Sequence, residues 1–300
     1  TVITIDSNAF TNNKIENITI PDTVSDLNCK AFDSTVSSNR DMTCAATPTS
    51  CFTYQEIDGG IEITDYDATC GTDVVIPDTI NNLDVISITA TEERTGDIAV
   101  PTGGFSRKGI TSVILPKKLT KISKNAFYTN TLESIEIPDS VKEIGNSAFR
   151  SNKITNIVIP DSITSIGMYA FAGNQIETLT LGKGLTTIGN GAFYRNKLTS
   201  LVIPDNVNFI DTYAFSDNQL TSITIGSGIQ YIERSAFSKS DINNPNLAKI
   251  TINKSCSDIK NITGSNTSTD KYYPWLSYDS PYTAIGVTIY GSNNEVCDSF

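Results

Sequence analysis

Five aspartates recur at one position of a repeating pattern: Asp22, Asp78, Asp139, Asp161 and Asp205. Where two of them stand in successive repeats of a stacked fold, their carboxylates would lie about 5 Å apart, a separation suited to glycoside hydrolysis with retention or to cradling calcium. Each of the five follows a proline, however, and Pro-Asp is ordinary turn chemistry. Lys117 and Lys183 also interrupt the column, and an open rim supplies no pocket. The turn reading is the stronger. The chain has no histidine, so the base of the commonest serine and cysteine hydrolase triads is missing. We expect no enzyme, no catalytic residue and no cofactor.

The six cysteines are Cys29, Cys44, Cys51, Cys70, Cys256 and Cys297. No two are spaced as CxxC, and without histidine a zinc or other metal site is not expected. An even number confined to irregular flanks points to disulfides and an oxidising compartment. The expected pairs are Cys29 with Cys44, Cys51 with Cys70, and Cys256 with Cys297.

The pattern that places these residues has a period of 22. Phe105 is followed by Phe127, Phe149, Phe171, Phe193, Phe215 and Phe237, and a fixed context travels with each. Self-similarity at this length marks a solenoid. In the unit Leu132 to Asn152, the run Leu132-x-x-Ile135-x-Ile137 reads as a strand with alternate side chains inward, ended by Pro138. Val141 and Ile144 form a second apolar pair, and Ala148-Phe149 forms the opposite wall. Parallel strands at Val113/Leu115, Ile135/Ile137, Ile157/Ile159, Leu179/Leu181, Leu201/Ile203, Ile223/Ile225 and Ile250/Ile252 would make one sheet about 30 Å long, lengthened by Ile18/Ile20 and Val74/Ile76. The phenylalanine column is core, each burial contributing about 2 kcal/mol. The column Asn130, Asn152, Asn174, Asn196 and Asn218 is structural, because asparagine can bond backbone groups and accept left-handed dihedrals. Gly182 and Gly226 replace the proline and are turn glycines, since no GK[ST] follows to make a phosphate loop.

Three regions follow. Residues 1–50 hold the end of a preceding repeat segment and a cysteine-bearing junction, 51–255 the main array, and 256–300 a C-terminal cap with Tyr272, Tyr273, Trp275, Tyr278 and Tyr282. Thr89 to Asp97 and Asp241 to Pro245 read as insertions that bulge from the coils. Thr1 to Phe10 aligns with Ser140 to Phe149, so the chain starts inside a unit and reads as a fragment of a longer one. The absence of a targeting signal is then uninformative. Sequons at Asn17, Asn253, Asn261 and Asn266 matter only in a eukaryotic secretory pathway. The net charge of −11 argues against nucleic-acid and anionic-membrane partners, and no apolar run is long enough to insert in a bilayer.

The unit L-x-x-I-x-I-P-x-x-V-x-x-I-G-x-x-A-F-x-x-N, as in Leu132 to Asn152, resembles the BspA-like class of leucine-rich repeats. The stretch Phe52 to Tyr66, continuing to Val75-Ile76-Pro77, is similar to the opening of such arrays in bacterial surface proteins. The resemblance covers about residues 52 to 255, with a further one and a half units before it. The period is one residue short of the common 23, and the cysteine junction and aromatic tail lie outside the family pattern. It implies a leucine-rich-repeat solenoid, with a parallel sheet on the concave side and short β, 3-10 or irregular structure on the convex side. It also implies a secreted or surface-displayed bacterial protein concerned with adhesion.

Between the inward residues of each strand stand those expected to face the concave side: Ser112, Ile114, Ser134, Glu136, Asn156, Val158, Thr178, Thr180, Ser200, Val202, Ser222 and Thr224. β-Branched residues suit any exposed sheet. A patch so low in charge on so acidic a chain is also what an interface requires. An ice-binding threonine ladder is broken by Glu136, Asn156 and Val202. The reading that results is an extracellular recognition module for a protein or glycan of a host or microbial surface, with Tyr272, Tyr273 and Trp275 as secondary contacts. A non-binding spacer is the alternative, and a carbohydrate-active enzyme using rim carboxylates is the third.

Overall fold

A computed structural model describes residues 44–95, 98–233, 235–238, 247, 249–259 and 288–299, together with 4–5, 9–10, 15–21, 24, 26–27, 31 and 37–38. Each coil of the main array has three sides, and each side is held to its neighbours differently.

The first side carries the expected strands. Asp73–Val75 pairs in parallel with Ser112–Ile114, and Asn156–Val158 with Thr178–Thr180. Ser200–Ile203, Ser222–Ile225, Lys249–Ile252 and Thr288–Tyr290 form a longer parallel run, closed by the antiparallel Val296–Ser299. The continuous sheet anticipated from the sequence is thus divided into three, and Leu132–Ile137 forms no strand although Ile135 and Ile137 are buried. Proline accounts for much of this. In the longest run the N–H of Gly226 donates to the carbonyl of Ile203 (2.9 Å) and that of Asn253 to Ile225 (2.8 Å). Pro116, Pro138, Pro160 and Pro204 occupy the equivalent position in other coils and have no N–H to give. Asn17–Ile18 does not extend this sheet; it pairs with Ser37–Ser38.

The second side is a ladder that the sequence showed only as an apolar pair. Lys121–Ile122, Glu143–Ile144, Ser165–Ile166, Thr187–Ile188, Phe209–Ile210 and Tyr231–Ile232 pair in parallel without interruption. The ladder continues at its N-terminal end through Leu83–Ile88 and Gly60–Tyr66 to the antiparallel Phe52–Ile57.

The third side is the phenylalanine turn. Residues two before and two after the phenylalanines from Phe127 to Phe215 take left-handed dihedrals, for example Ser147 and Ser151 (φ 56° and 59°) and Tyr169 (φ 54°). Their N–H groups and that of the phenylalanine point to carbonyls of the following coil: Ser147 to Met168, Phe149 to Ala170 and Ser151 to Ala172, each 2.8 Å.

Inside, the rings of Phe105 to Phe237 stack at 5.0 to 5.7 Å, and Tyr66 continues the column at 5.1 Å from Phe105. Each buried asparagine fastens two coils. Asn174 donates to the carbonyls of Phe149 (2.9 Å) and Phe171 (3.0 Å) and accepts from the N–H of Ile154 (3.1 Å). Asn130, Asn152, Asn196 and Asn218 repeat this arrangement.

The flanks differ. Ile20, Val24 and Ala31 form a small core separate from that of the array. Cys51 is bonded to Cys70 (Cα–Cα 6.1 Å) and Cys256 to Cys297 (Cα–Cα 5.1 Å), as the spacing led us to expect. Cys44 is also disulfide-bonded, while Cys29 lies outside the described residues. The insertion at Thr89 to Asp97 contributes an antiparallel pair, Glu92–Thr95 with Ile98–Pro101. Its Glu92 accepts from Asn125 (2.8 Å) and pairs with Lys124 (2.7 Å). The second insertion, 241–245, lies outside the described residues.

Candidate functional site

The pleat of the first sheet sends alternate side chains outward, and these are the residues expected on the concave side. The backbone register aligns Asn156 with Thr178, Val158 with Thr180, Ser200 with Ser222, and Val202 with Thr224. Ser112 and Ile114 continue the two columns in the first pair of strands, beside Asp73 and Val75. Ser134 and Glu136 belong to the coil that forms no strand, so the face comes in three blocks. Val158 and Val202 are 56% and 65% exposed, against near-complete burial of Ile157 and Ile203 beside them. Glu136 is the one charged member of the twelve.

At the C-terminal end the columns run on through Lys249 and Thr251 to Thr288 and Tyr290. The Lys249 ammonium lies 4.7 Å from the centre of the Tyr290 ring. The strand expected at Ile250/Ile252 already implied Lys249 and Thr251 as its outward residues, although the twelve concave positions stopped at Thr224. Tyr290 needed the register of the tail strand, which no repeat announces. Tyr272, Tyr273, Trp275, Tyr278 and Tyr282 lie outside the described residues.

The aspartate column is occupied with holding the stack. Asp78 accepts the N–H of Lys117 (2.8 Å), Asp161 that of Lys183 (2.6 Å), and Asp205 both the N–H (2.8 Å) and hydroxyl (3.2 Å) of Ser227. In each case the coil ahead has no aspartate at that position. Asp139 and Asp161 are the adjacent pair; both are exposed, and Asp161 is committed to its backbone donor. Asp22 lies outside the described residues.

The profile of the BspA type leucine rich repeat region matches in six copies, over residues 1–58, 98–221 and 142–271. The chain belongs to the BspA-type leucine-rich repeat family. Similar solved structures include a leucine-rich repeat protein of T. pallidum (23% identity, TM-score 0.47, covering 69% of this chain and 85% of that one). Another is a leucine-rich repeat protein from Bacteroides ovatus (21%, 0.42, 67% and 69%). The pneumococcal vaccine antigen PcpA is a third (18%, 0.36, 97% and 80%). No curated protein matches the chain. Among the described residues, no helix is long and apolar enough to cross a membrane.

Within this BspA-type array the phenylalanine turns carry a feature that reading for fixed columns overlooks, because it lies in their variable positions. The Arg107 guanidinium lies 5.5 Å from the centre of the Tyr128 ring, that of Arg150 5.1 Å from Tyr169, and that of Arg195 5.0 Å from Tyr194. Tyr169 and Tyr194 meet edge to face at 6.3 Å. A Cβ on Gly191 would stand 2.3 Å from the Tyr169 ring, so glycine opens the space that ring fills. A hydrogen bond with Thr129 and the nearby Arg107 hold the Tyr128 phenol below its ordinary value, against the opposing effect of burial. Burial, then Asp217, raises that of Tyr194.

Proposed function

We propose that this chain is an extracellular recognition module of a bacterial surface, binding a protein or glycan through the outward, concave face of the first sheet. The observation that carries the reading is the exposure of Val158 and Val202 within a face whose twelve positions hold a single charge. Desolvating such a face on binding leaves few charges to compensate, and interface cores are depleted of charge for that reason. Membership of the family supports display outside the cell, as do disulfides, which persist in oxidising compartments. A binding role is favoured over a catalytic one because three of the rim aspartates already accept backbone hydrogen bonds.

The test is a binding screen of the purified chain against glycans, matrix proteins and intact cells, beside an Ile114→Glu/Val158→Glu/Val202→Glu variant verified as folded. A ligand lost in the variant supports the reading. A ligand retained moves the site elsewhere, and no ligand at all favours the spacer.

A further inference from the structure

The third side of the solenoid carries positive charge at regular intervals. Arg107 and Lys108, Arg150 and Lys153, and Arg195 and Lys197 follow Phe105, Phe149 and Phe193, so a basic pair recurs in every second coil. At the spacing of neighbouring strands, two coils span about 10 Å, close to the length of two pyranose rings joined end to end. The intervening coils hold instead the exposed acids Glu133 and Glu177.

The guanidinium groups are set for use. Each guanidinium lies over a tyrosine ring, that of Tyr128, Tyr169 or Tyr194, and its five N–H donors exceed what these neighbours take up, which leaves donors for a carboxylate or sulfate. Holding the group against a ring also removes rotamer freedom that binding would otherwise have to remove. Among the described residues no carboxylate forms an ion pair with Arg107, Arg150, Lys153 or Lys197. Lys197 donates to Gln175 (3.1 Å), Arg195 contacts Asp217 through Nε at 3.4 Å, and Lys108 is paired with Asp65 at 3.0 Å. The overall charge of −11 does not preclude an anion here, because charges farther away than about 8 Å are largely screened at physiological salt.

We propose that this edge is a second binding surface, separate from the first sheet, for an acidic polysaccharide strand bearing one carboxylate or sulfate per two sugar rings. Charge complementarity selects an anion, and the alternation selects its spacing. The intervening turns offer no cation after Phe127 or Phe171, so a uniformly dense polyanion would leave every second charge without a partner, whereas a strand charged at every second ring passes them with neutral sugar.

The test measures affinity of the full 300-residue chain at about 0.15 M salt for hyaluronan, heparin, neutral dextran and poly-glutamate. Hyaluronan should bind, dextran should not, and densely sulfated heparin should gain nothing in proportion to its charge. Arg150→Gln with Arg195→Gln should weaken hyaluronan binding by roughly tenfold to a hundredfold, as loss of bidentate charge-assisted contacts implies. Arg150→Lys with Arg195→Lys, which keeps charge but not the fork, should fall between. Val158→Glu with Val202→Glu should leave this affinity unchanged while abolishing any ligand of the first sheet. Failure of hyaluronan to bind, indifference to the arginine substitutions in folded protein, or preference for heparin in proportion to its charge would overturn the proposal. Tighter binding of poly-glutamate would replace the polysaccharide with an acidic protein segment.

Discussion

The two ladders of this solenoid are built from the same coils, yet one is broken and the other is not. The first sheet falls into three blocks, while the second runs unbroken from the Phe52–Ile57 hairpin to Tyr231–Ile232 on strands as short as two residues. Strand length therefore does not set continuity here. The second ladder meets no proline at its pairing positions, and the phenylalanine stack and asparagine fasteners fix coil spacing whichever ladder is considered. The first sheet is relieved of holding the stack together, and its outward positions are free to vary from threonine to valine to glutamate.

That division of labour can be broken at its strongest point. Phe171→Ala would remove a fully buried ring between two stacked neighbours and should cost about 4 kcal/mol in chemical denaturation. Asn174→Ala would orphan the N–H of Ile154 and take one of two asparagine donors from each of the Phe149 and Phe171 carbonyls, and should cost about 2 kcal/mol in the same assay. An effect of either substitution below that of a surface change would mean that the ladders, not the core, set the spacing. Ser151→Gly should act in the opposite direction. Its side chain is held at φ 59°, so relief of strain should exceed the entropic cost of glycine and stabilise by about 0.5 kcal/mol. Val158→Glu with Val202→Glu, both exposed on the broken sheet, should change stability by less than about 0.5 kcal/mol.

The smallest effect concerns pH. Asp67 accepts from the N–H (2.9 Å) and hydroxyl (2.8 Å) of Thr69, and these bonds hold its carboxyl below its ordinary value. A depressed folded value means stability that is present above about pH 3.9, the unfolded value, and lost as pH falls through the folded one. Asp67→Asn should therefore flatten that acid dependence slightly, as equilibrium unfolding at stepped pH would show.

Much of the fold was legible because inward residues repeat: phenylalanine, asparagine and the paired aliphatics are fixed by a core that each coil must match. The second ladder was not, since pairs such as Glu143–Ile144 are too short to show alternation. Leu132–Ile137 was over-read for the reverse reason, as alternation dictates which side chains are buried and not whether the backbone pairs. The outward residues of the first sheet followed from the same alternation. The tyrosine and arginine contacts did not, because they lie in variable positions: Tyr128 and Tyr194 directly follow their phenylalanines, Tyr169 stands two residues before its own, and Arg107 and Arg150 reach their rings only when coils are stacked.

One end of each long ladder is formed by a strand that runs against its neighbour: Phe52–Ile57 at the start of the second ladder and Val296–Ser299 at the end of the first. Each has a disulfide beside it, Cys51–Cys70 and Cys256–Cys297. A stack of like coils is complementary to itself, since its last coil offers what its first would accept. Copies joined in that way meet head to tail, and an operator that does not close produces a fibre. Reversing the outermost strand and tying it covalently removes that self-complementarity at opposite ends of the two ladders. Each bond thus holds in place a strand on which such growth would stop, and filament formation after reduction is the expected consequence.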